Sequence, residues 1–178
     1  YHGPGKFDPS THEWFTFAYK GQTDAKLDRS CYMVTEKLLS DLRSNAPHIT
    51  VLDIDNRQLI DIEMLKIFEA LETNTTVVEL KLAHNDADES AVELAELLKT
   101  NRTITKVDIS SNDLHDKAIR AWGAMLAVNA TLKELNFANN FCRDDVKAIA
   151  AGLAVNKTLT KLNLNVSQID DAGALQLK

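Results

Sequence analysis

The chain has 178 residues, 44% of them hydrophobic and 26% charged, and its 20 basic and 26 acidic side chains give a net charge of −6. This length suits one domain with a substantial core, and the negative charge argues against a nucleic-acid-binding protein. No stretch approaches the roughly 20 apolar residues of a membrane span, and the opening residues YHGPGKFDPS lack the apolar region of a signal peptide. Two cysteines, Cys31 and Cys142, are too few for a disulfide framework, so we expect a cytoplasmic protein.

Residues 1–30 differ in composition from the rest of the chain. They hold two of the three prolines and a cluster of aromatic residues that includes Trp14, Phe15 and Phe17. We therefore expect an N-terminal arm over residues 1–30, which docks into a partner, and a separate domain over residues 31–178. Residues 28–45 (DRSCYMVTEKLLSDLRSN) predict a helix that covers the first unit of the repeated region that follows.

From residue 49 onward the sequence repeats one pattern five times. The units begin at Ile49, Val77, Ile104, Leu132 and Leu159, separated by 28, 27, 28 and 27 positions. Two more apolar residues follow each first one at fixed spacing, for example Val107 and Ile109 after Ile104. Asparagine comes three positions later in the three middle units, at Asn85, Asn112 and Asn140, and a last small or apolar residue closes every unit. The pattern is therefore L-x-x-L-x-L-x-x-N-x-L, the leucine-rich repeat.

Each unit predicts a short strand with one buried face, a turn held by the asparagine, and a helix that returns the chain. Apolar residues at helical spacing place these helices over residues 62–72, 89–100, 116–128 and 144–155, and DDAGALQLK begins a fifth. We expect an α/β leucine-rich-repeat solenoid of five repeats, with a curved parallel sheet inside, helices outside and a truncated C-terminal end. A full helix in units of this length is typical of the ribonuclease-inhibitor-like class of repeats.

The asparagines that end the helices invite two interpretations. Asn74, Asn101, Asn129 and Asn156 each begin an Asn-x-Thr sequence, which is the acceptor pattern for N-glycosylation. We interpret them instead as helix caps in the left-handed conformation, because they recur with the repeat and no secretory signal precedes them.

No pattern in the sequence predicts catalysis, a cofactor site or a metal site. The histidines lack the spacing of zinc ligands, and Cys142 occupies a core position of its repeat. Outward residues of successive strands alternate in charge, which predicts a self-compensated concave face. We therefore place partner contacts on the polar loops that follow the strands and on the arm. The candidate residues are Asn56, Arg57, His84, Asp86, Ser111, Asp113, Asn139, Arg143, Trp14, Phe15 and Phe17.

The stretch LKIFEALETNTTVVELKLAHNDADESAVELAELLKTNRTITKVDISSNDL resembles the leucine-rich-repeat domain of tropomodulin and leiomodin. The matching residues lie in two successive units and in the preceding segment KLLSDLRSNAPHITVLDIDN. They are Leu65, Phe68, Ala70, Leu71, Glu72, Asn74 and Thr75, then Ala91, Ala95, Glu96, Leu97, Leu98, Asn101 and Thr103. The resemblance covers about residues 36–170, and residues 1–35 do not match that family's N-terminal parts.

The resemblance implies a non-enzymatic cytoskeletal protein that binds actin and contributes to capping the pointed ends of filaments. In that family, tropomyosin is bound through helices N-terminal to the repeats, which have no counterpart in this sequence. Two alternatives stay open. One is a leucine-rich-repeat subunit of another cytoskeletal assembly, axonemal or cortical, anchored by the aromatic arm. The other is a regulator of a small GTPase, in which Arg57 is the candidate arginine.

Overall fold

We describe a computed structural model of the chain, which covers residues 7–8, 13–14, 24–26 and 34–177. Within the predicted arm, strands β1 (Phe7–Asp8) and β2 (Glu13–Trp14) pair in antiparallel fashion, with Phe7 opposite Trp14. The candidate residue Trp14 therefore lies in a strand. Phe15 and Phe17, the other aromatic candidates, lie outside the described residues.

The centre of the fold is a six-stranded parallel sheet whose strands follow one another in chain order. They are β3 (Asp24–Lys26), β4 (Val51–Asp53), β5 (Glu79–Lys81), β6 (Lys106–Asp108), β7 (Glu134–Asn136) and β8 (Lys161–Asn163). Strands β4 to β8 are the five repeat strands, and the predicted α/β leucine-rich-repeat fold is confirmed. The sheet also includes β3, whose sequence lacks the apolar pattern of the repeats and which belongs to the segment assigned to the arm. The domain boundary at residue 30 stays a prediction.

Six α-helices lie in the described part of the chain and follow the strands in turn. They are α1 (Glu36–Arg43), α2 (Asp61–Leu71), α3 (Ser90–Thr100), α4 (Asp116–Val128), α5 (Val146–Val155) and α6 (Asp171–Gln176), with a 3₁₀ turn over Arg143–Asp145 before α5. Helix α1 is shorter than the helix predicted over residues 28–45. It begins at Glu36 because Thr35 caps it, its Oγ1 accepting a hydrogen bond from the Leu38 N–H at 3.2 Å.

The core lies between the sheet and the helices. The middle residues of the repeat strands stack in register, and Leu52, Leu80, Val107 and Leu135 are all buried. From the helical side, Trp122 meets Phe137 edge to face with ring centroids 5.3 Å apart. The Trp122 indole N–H donates to the carbonyl of Ala91 at 3.1 Å, so the one polar group of this large buried side chain has a hydrogen-bond partner.

The prediction of left-handed asparagine caps is wrong. Asn101, Asn129 and Asn156 have φ of −62°, −71° and −67°, in the extended region. Their side chains satisfy the neighbouring backbone instead. Oδ1 of Asn101 accepts from the N–H groups of Thr103 and Ile104 at 2.9 and 2.8 Å. The amide of Asn129 donates to the carbonyl of Leu98 in the preceding repeat at 2.6 Å. Asparagines at this position thus tie one unit to the next, which explains why the residue recurs there.

Helices α4 and α5 pack at very short range. A Cβ on Gly123 would clash with the backbone carbonyl of Ala148 and lie 2.9 Å from the Cβ of that alanine. A Cβ on Gly152 would clash in the same way with the carbonyl of Gly123. The two backbones are therefore in contact, and only glycine fits at these two positions.

Candidate protein-binding site

The loops between each strand and the next helix form one edge of the solenoid, which we call the loop rim. It comprises residues 54–60, 82–89, 109–115, 137–145 and 164–170. At the same position of every loop one residue takes a left-handed conformation, with φ between 53° and 57°. These residues are Asn56, His84, Ser111, Asn139 and Val166. Because histidine, serine and valine adopt this conformation at a steric cost, the repeated turn itself imposes it.

Asparagine side chains fix the backbone of the rim. Oδ1 of Asn140 accepts hydrogen bonds from the N–H groups of Asn112 and Leu114 in the preceding loop, at 3.2 and 3.1 Å. The Asn140 amide donates to the carbonyls of Ile109 and Phe137, each at 3.1 Å. Asn85 makes the equivalent contacts with the first loop. The loop backbone is therefore fixed by hydrogen bonds between repeats, and the rim presents its side chains on a rigid frame.

Three side chains in the third and fourth loops of the rim form a stack. The rings of His115 and Phe141 lie 4.7 Å apart between centroids with planes inclined by 4°. The guanidinium carbon of Arg143 lies 5.4 Å from the centre of the Phe141 ring, and its Nε donates to Oε1 of Gln168 at 3.1 Å. Phe141 is half-buried, while His115 and Arg143 are exposed. This His115–Phe141–Arg143 stack joins an aromatic surface to a cation, a combination enriched at protein interfaces.

Acidic residues on and beside the rim have two different roles. Oδ1 of Asp61 accepts from the N–H of Ser90, and Oδ1 of Asp88 accepts from the N–H of His115, at 2.9 and 2.7 Å. Each of these carboxylates therefore caps the helix of the next repeat. Asp86 and Asp113 are exposed, and their carboxylates are accessible to a partner.

The concave face is compensated in charge, as the alternation along the strands predicts. Glu134 lies between Lys106 and Lys161, at 3.3 and 3.4 Å, and Lys81 lies 3.7 Å from Asp53. Hydrogen bonding from Lys106 lowers the pKa of Glu134. Burial raises the pKa of Asp55, although the hydrogen bond from the Ala83 N–H opposes the shift. The strands of the described repeats thus offer a partner neither one sign of charge nor an aromatic cluster.

Comparison with known proteins identifies the family. The TMOD/LMOD leucine-rich domain matches residues 33–172, which is most of the chain. This chain belongs to the TMOD/LMOD leucine-rich-domain family. A solved structure titled "Leiomodin-1 Actin-Binding Site 2 (ABS2)" is 32% identical, with a TM-score of 0.70, over 78% of this chain and 82% of that one. A tropomodulin C-terminal domain from Caenorhabditis elegans is 16% identical, with a TM-score of 0.69, over 80% and 87% of the two chains, and supports the fold alone. A search of curated proteins found no match.

The TMOD/LMOD domain brings most of the predicted loop residues together on the rim. Asn56, His84, Asp86, Asp113, Asn139 and Arg143 are exposed there, and Ser111 is half-buried. Asn139 and Ser111 are linked, the amide of the first donating to Oγ of the second at 3.1 Å. Arg57 is different because only 8% of its surface is exposed. Its burial weighs against the role of an arginine that reaches into a GTPase.

The sequence-based prediction of contact residues omitted His115 and Phe141. A signal for Phe141 was present, because the corresponding position of the other repeats holds Gln58, Asp86, Asp113 and Gln168. An aromatic residue on the surface, at a position that is polar in the other repeats, indicates a contact with a binding partner. No such signal exists for His115, whose importance comes from the ring that it contacts in the following loop.

Other kinds of site find little support in the described part of the domain. No group of three or more histidine, cysteine, aspartate or glutamate side chains within it is arranged to hold a metal ion. Burial raises the pKa of the Cys142 thiol to about 11, which leaves it protonated and unreactive near neutral pH. None of the described helices is long and apolar enough to cross a membrane.

Proposed function

We propose that this chain binds actin through its loop rim and contributes to capping the pointed ends of actin filaments. The observation that carries the proposal is the similarity to the structure titled leiomodin-1 actin-binding site 2, at 32% identity over 78% of the chain. On this proposal the protein acts at the cytoskeleton and without catalysis.

The rim is the surface that we assign to actin. Its backbone is held by hydrogen bonds from Asn85 and Asn140, so little conformational entropy is lost when a partner binds. The His115–Phe141–Arg143 stack supplies the aromatic and arginine side chains that dominate binding energy in protein interfaces. The compensated concave face has no comparable anchor among the described residues, which favours the rim over the inner surface of the solenoid.

Pointed-end elongation tests the capping part of the proposal. Filament seeds with blocked barbed ends are extended with pyrene-labelled actin in the presence of increasing amounts of the full chain. We expect slower elongation, and we expect the double variant Phe141→Ala, Arg143→Ala to require about tenfold more protein for the same effect. Lys66→Ala, an exposed change on helix α2 away from the rim, is the matched control and should behave as the unchanged chain does.

Direct binding to monomeric actin, measured by fluorescence anisotropy, tests the binding part separately. Binding that depends on Phe141 and Arg143 without any effect on elongation would reject capping and retain an actin-binding role. Absence of binding at saturating actin would reject both parts, and a subunit of another cytoskeletal assembly would then be the better interpretation. Equal binding of actin by the rim variant and the Lys66→Ala control would show that actin contacts a surface other than the rim.

A further inference from the structure

The outer surface of helices α4 and α5 differs in charge from the rest of this acidic protein. Residues 117–133 and 146–168 contain no aspartate or glutamate, although the whole chain has 26. Over the carboxyl-terminal halves of the two helices the exposed side chains are all small and apolar. These side chains form the surface that we call the α4–α5 face, which consists of Ala124, Ala127, Val128, Ala151, Ala154 and Val155.

The neighbouring helices α2 and α3 do not share this surface. On α3 the outward positions carry Glu93 and Glu96, and on α2 the exposed Ile62 and Leu65 alternate with charged residues. On the α4–α5 face, Val128 and Val155 are each 56% exposed, and the carboxyl-terminal halves of their helices carry no charged side chain. Exposed apolar surface is unfavourable in water, so the two valines favour a covered state.

The contact between Gly123 and Gly152 gives this face its shape. Because the two backbones touch, the groove between α4 and α5 is shallow and is bordered by alanines rather than by long side chains. A third helix can therefore approach closely and place larger apolar side chains along the groove. The α4–α5 face has no large apolar side chain to insert into a partner. It therefore fits a partner helix that supplies leucine-sized residues of its own.

Basic residues border the end of the face where the helices finish. Arg102 and Lys157 are exposed there, each directly after the asparagine that ends its helix, and Lys133 is exposed at the same edge of the solenoid, directly before strand β7. Among residues 34–177, neither Lys133 nor Lys157 takes part in a salt bridge. Arg102 donates to the backbone carbonyls of Lys99 and Asn101, at 3.0 and 3.2 Å. Three cations beside an apolar groove call for a partner with acidic residues at that end.

We propose that the α4–α5 face is a second interaction surface, which docks an amphipathic helix of a partner protein. The partner helix carries an apolar stripe for the groove and acidic residues that meet Arg102, Lys133 and Lys157. This surface lies towards the edge of the solenoid opposite the loop rim, so both can be occupied at once, and the inference goes beyond the proposed binding of actin.

Two other occupants fit the charges and side chains less well. Helices that lie on membranes insert tryptophan, phenylalanine or leucine into the lipid, and the α4–α5 face exposes only alanine and valine. A second copy of the chain, related by a twofold axis at this face, would oppose like charges in either orientation. A parallel copy brings Lys133 and Lys157 towards their own counterparts, and an antiparallel copy brings them towards the exposed Lys117 and Lys147.

A pair of synthetic peptides tests the proposal on the full chain. Both are about 20 residues long with leucines at positions i, i+3, i+4 and i+7, which makes them amphipathic helices. One carries glutamates on the flanking positions and the other lysines. We expect the glutamate peptide to bind about tenfold more tightly by fluorescence anisotropy, and its affinity to fall as NaCl is raised. Equal affinity of the two peptides, or no binding of either, would overturn the proposal.

Variants locate the binding surface. Lys133→Glu with Lys157→Glu should weaken the glutamate peptide about tenfold, and Ala127→Glu with Ala154→Glu should do so by a similar factor. Lys66→Glu, which reverses an exposed charge on helix α2, is the matched control and should leave the affinity unchanged. All these positions are exposed, and thermal melting followed by circular dichroism confirms that each variant is folded. Unchanged peptide affinity in both pairs would reject the surface.

The remaining outcomes separate the alternatives. Sedimentation of the chain with phosphatidylcholine vesicles that contain phosphatidylserine, without binding of the peptide, would show that the α4–α5 face binds a membrane and not a partner helix. A dimer in light scattering that Ala127→Glu dissociates would show that the α4–α5 face binds a second copy of the chain and not a partner helix. Pointed-end elongation should be the same for the Lys133→Glu, Lys157→Glu variant and the unchanged chain, so failure here and failure of the actin proposal are distinguishable.

Discussion

The imidazole of His115 and the phenyl ring of Phe141 lie parallel, with centroids 4.7 Å apart, and join two successive loops of the rim. The contact adds to the asparagine hydrogen bonds that fix the same loops. We expect the two rings to stabilise each other by about 0.5–1.5 kcal/mol, the range typical of paired aromatic side chains. A double-mutant cycle of His115→Ala and Phe141→Ala, followed by urea denaturation, measures this coupling free energy. Additive losses from the two single changes would show that the stack contributes nothing beyond each ring's own burial.

Asn140→Ala should destabilise the domain strongly. The change removes the acceptor for the Asn112 and Leu114 N–H groups and the donor for the Ile109 and Phe137 carbonyls, all in a buried position. We expect a loss of about 2–4 kcal/mol in the free energy of unfolding, because each buried unpaired group costs about 1–3 kcal/mol.

The neighbouring Asn139→Ala is the matched control for this change. Asn139 is exposed, and its side-chain amide donates to Oγ of Ser111 at 3.1 Å. Water can replace that contact, but alanine tolerates the left-handed φ of 53° at this position less well than asparagine does, so we expect a loss of about 1 kcal/mol in the free energy of unfolding, below that of Asn140→Ala. Urea denaturation of the two variants measures the difference, and equal losses would contradict the role assigned to Asn140.

Gly123→Ala should lower stability even though alanine favours helices over glycine by about 1 kcal/mol. The new methyl group would meet the carbonyl of Ala148 on helix α5, so the two helices must separate. We expect a net loss of more than about 2 kcal/mol, typical of overpacking against backbone. Ala124→Gly, one position further along on the exposed side, should lose only the helix-propensity contribution of about 1 kcal/mol. A gain in melting temperature for Gly123→Ala would contradict the close approach of α4 and α5.

Asp55→Asn should stabilise the domain at neutral pH. Burial, reinforced by Asp53 and Asp108, raises the pKa of Asp55 above its usual value, so the folded state holds this proton more tightly than the unfolded chain does. Its contribution to stability is therefore fully present below about pH 4 and is lost as the pH rises through the raised pKa. Asparagine keeps an acceptor for the Ala83 N–H, which lies 2.7 Å from Oδ1, and removes the charge.

Thermal melts at neutral and acidic pH check this prediction. The variant should melt at a higher temperature than the unchanged chain at pH 7, and the difference should disappear below about pH 4. Asp86→Asn is the control, because that side chain is exposed on the rim and its substitution should change stability by less than about 0.5 kcal/mol. A lower melting temperature for Asp55→Asn at pH 7 would show that the attraction of its charge to Lys81 outweighs the cost of burial.

The architecture follows from the sequence because the same positions are buried in every repeat. Leu52, Leu80, Val107 and Leu135 recur at a spacing that a stack of equivalent strands satisfies, and the helix boundaries of α2 to α5 lie close to those expected. The alternating charges of the concave face follow from the same register, which places Lys106 beside Glu134. Strand β3 could not be predicted in this way, since its sequence DAK lacks the apolar pattern of the repeats.

The candidate site depended on contacts that no periodicity records. The pattern assigned the loops to the surface, but it did not distinguish the buried Arg57 from the exposed Arg143. It also did not show that Phe141 stacks on His115, or that two glycines bring α4 and α5 into backbone contact. Periodicity reports which face of an element is buried. The partners of a side chain across repeats depend on turn geometry and helix spacing, and only the tertiary structure decides those.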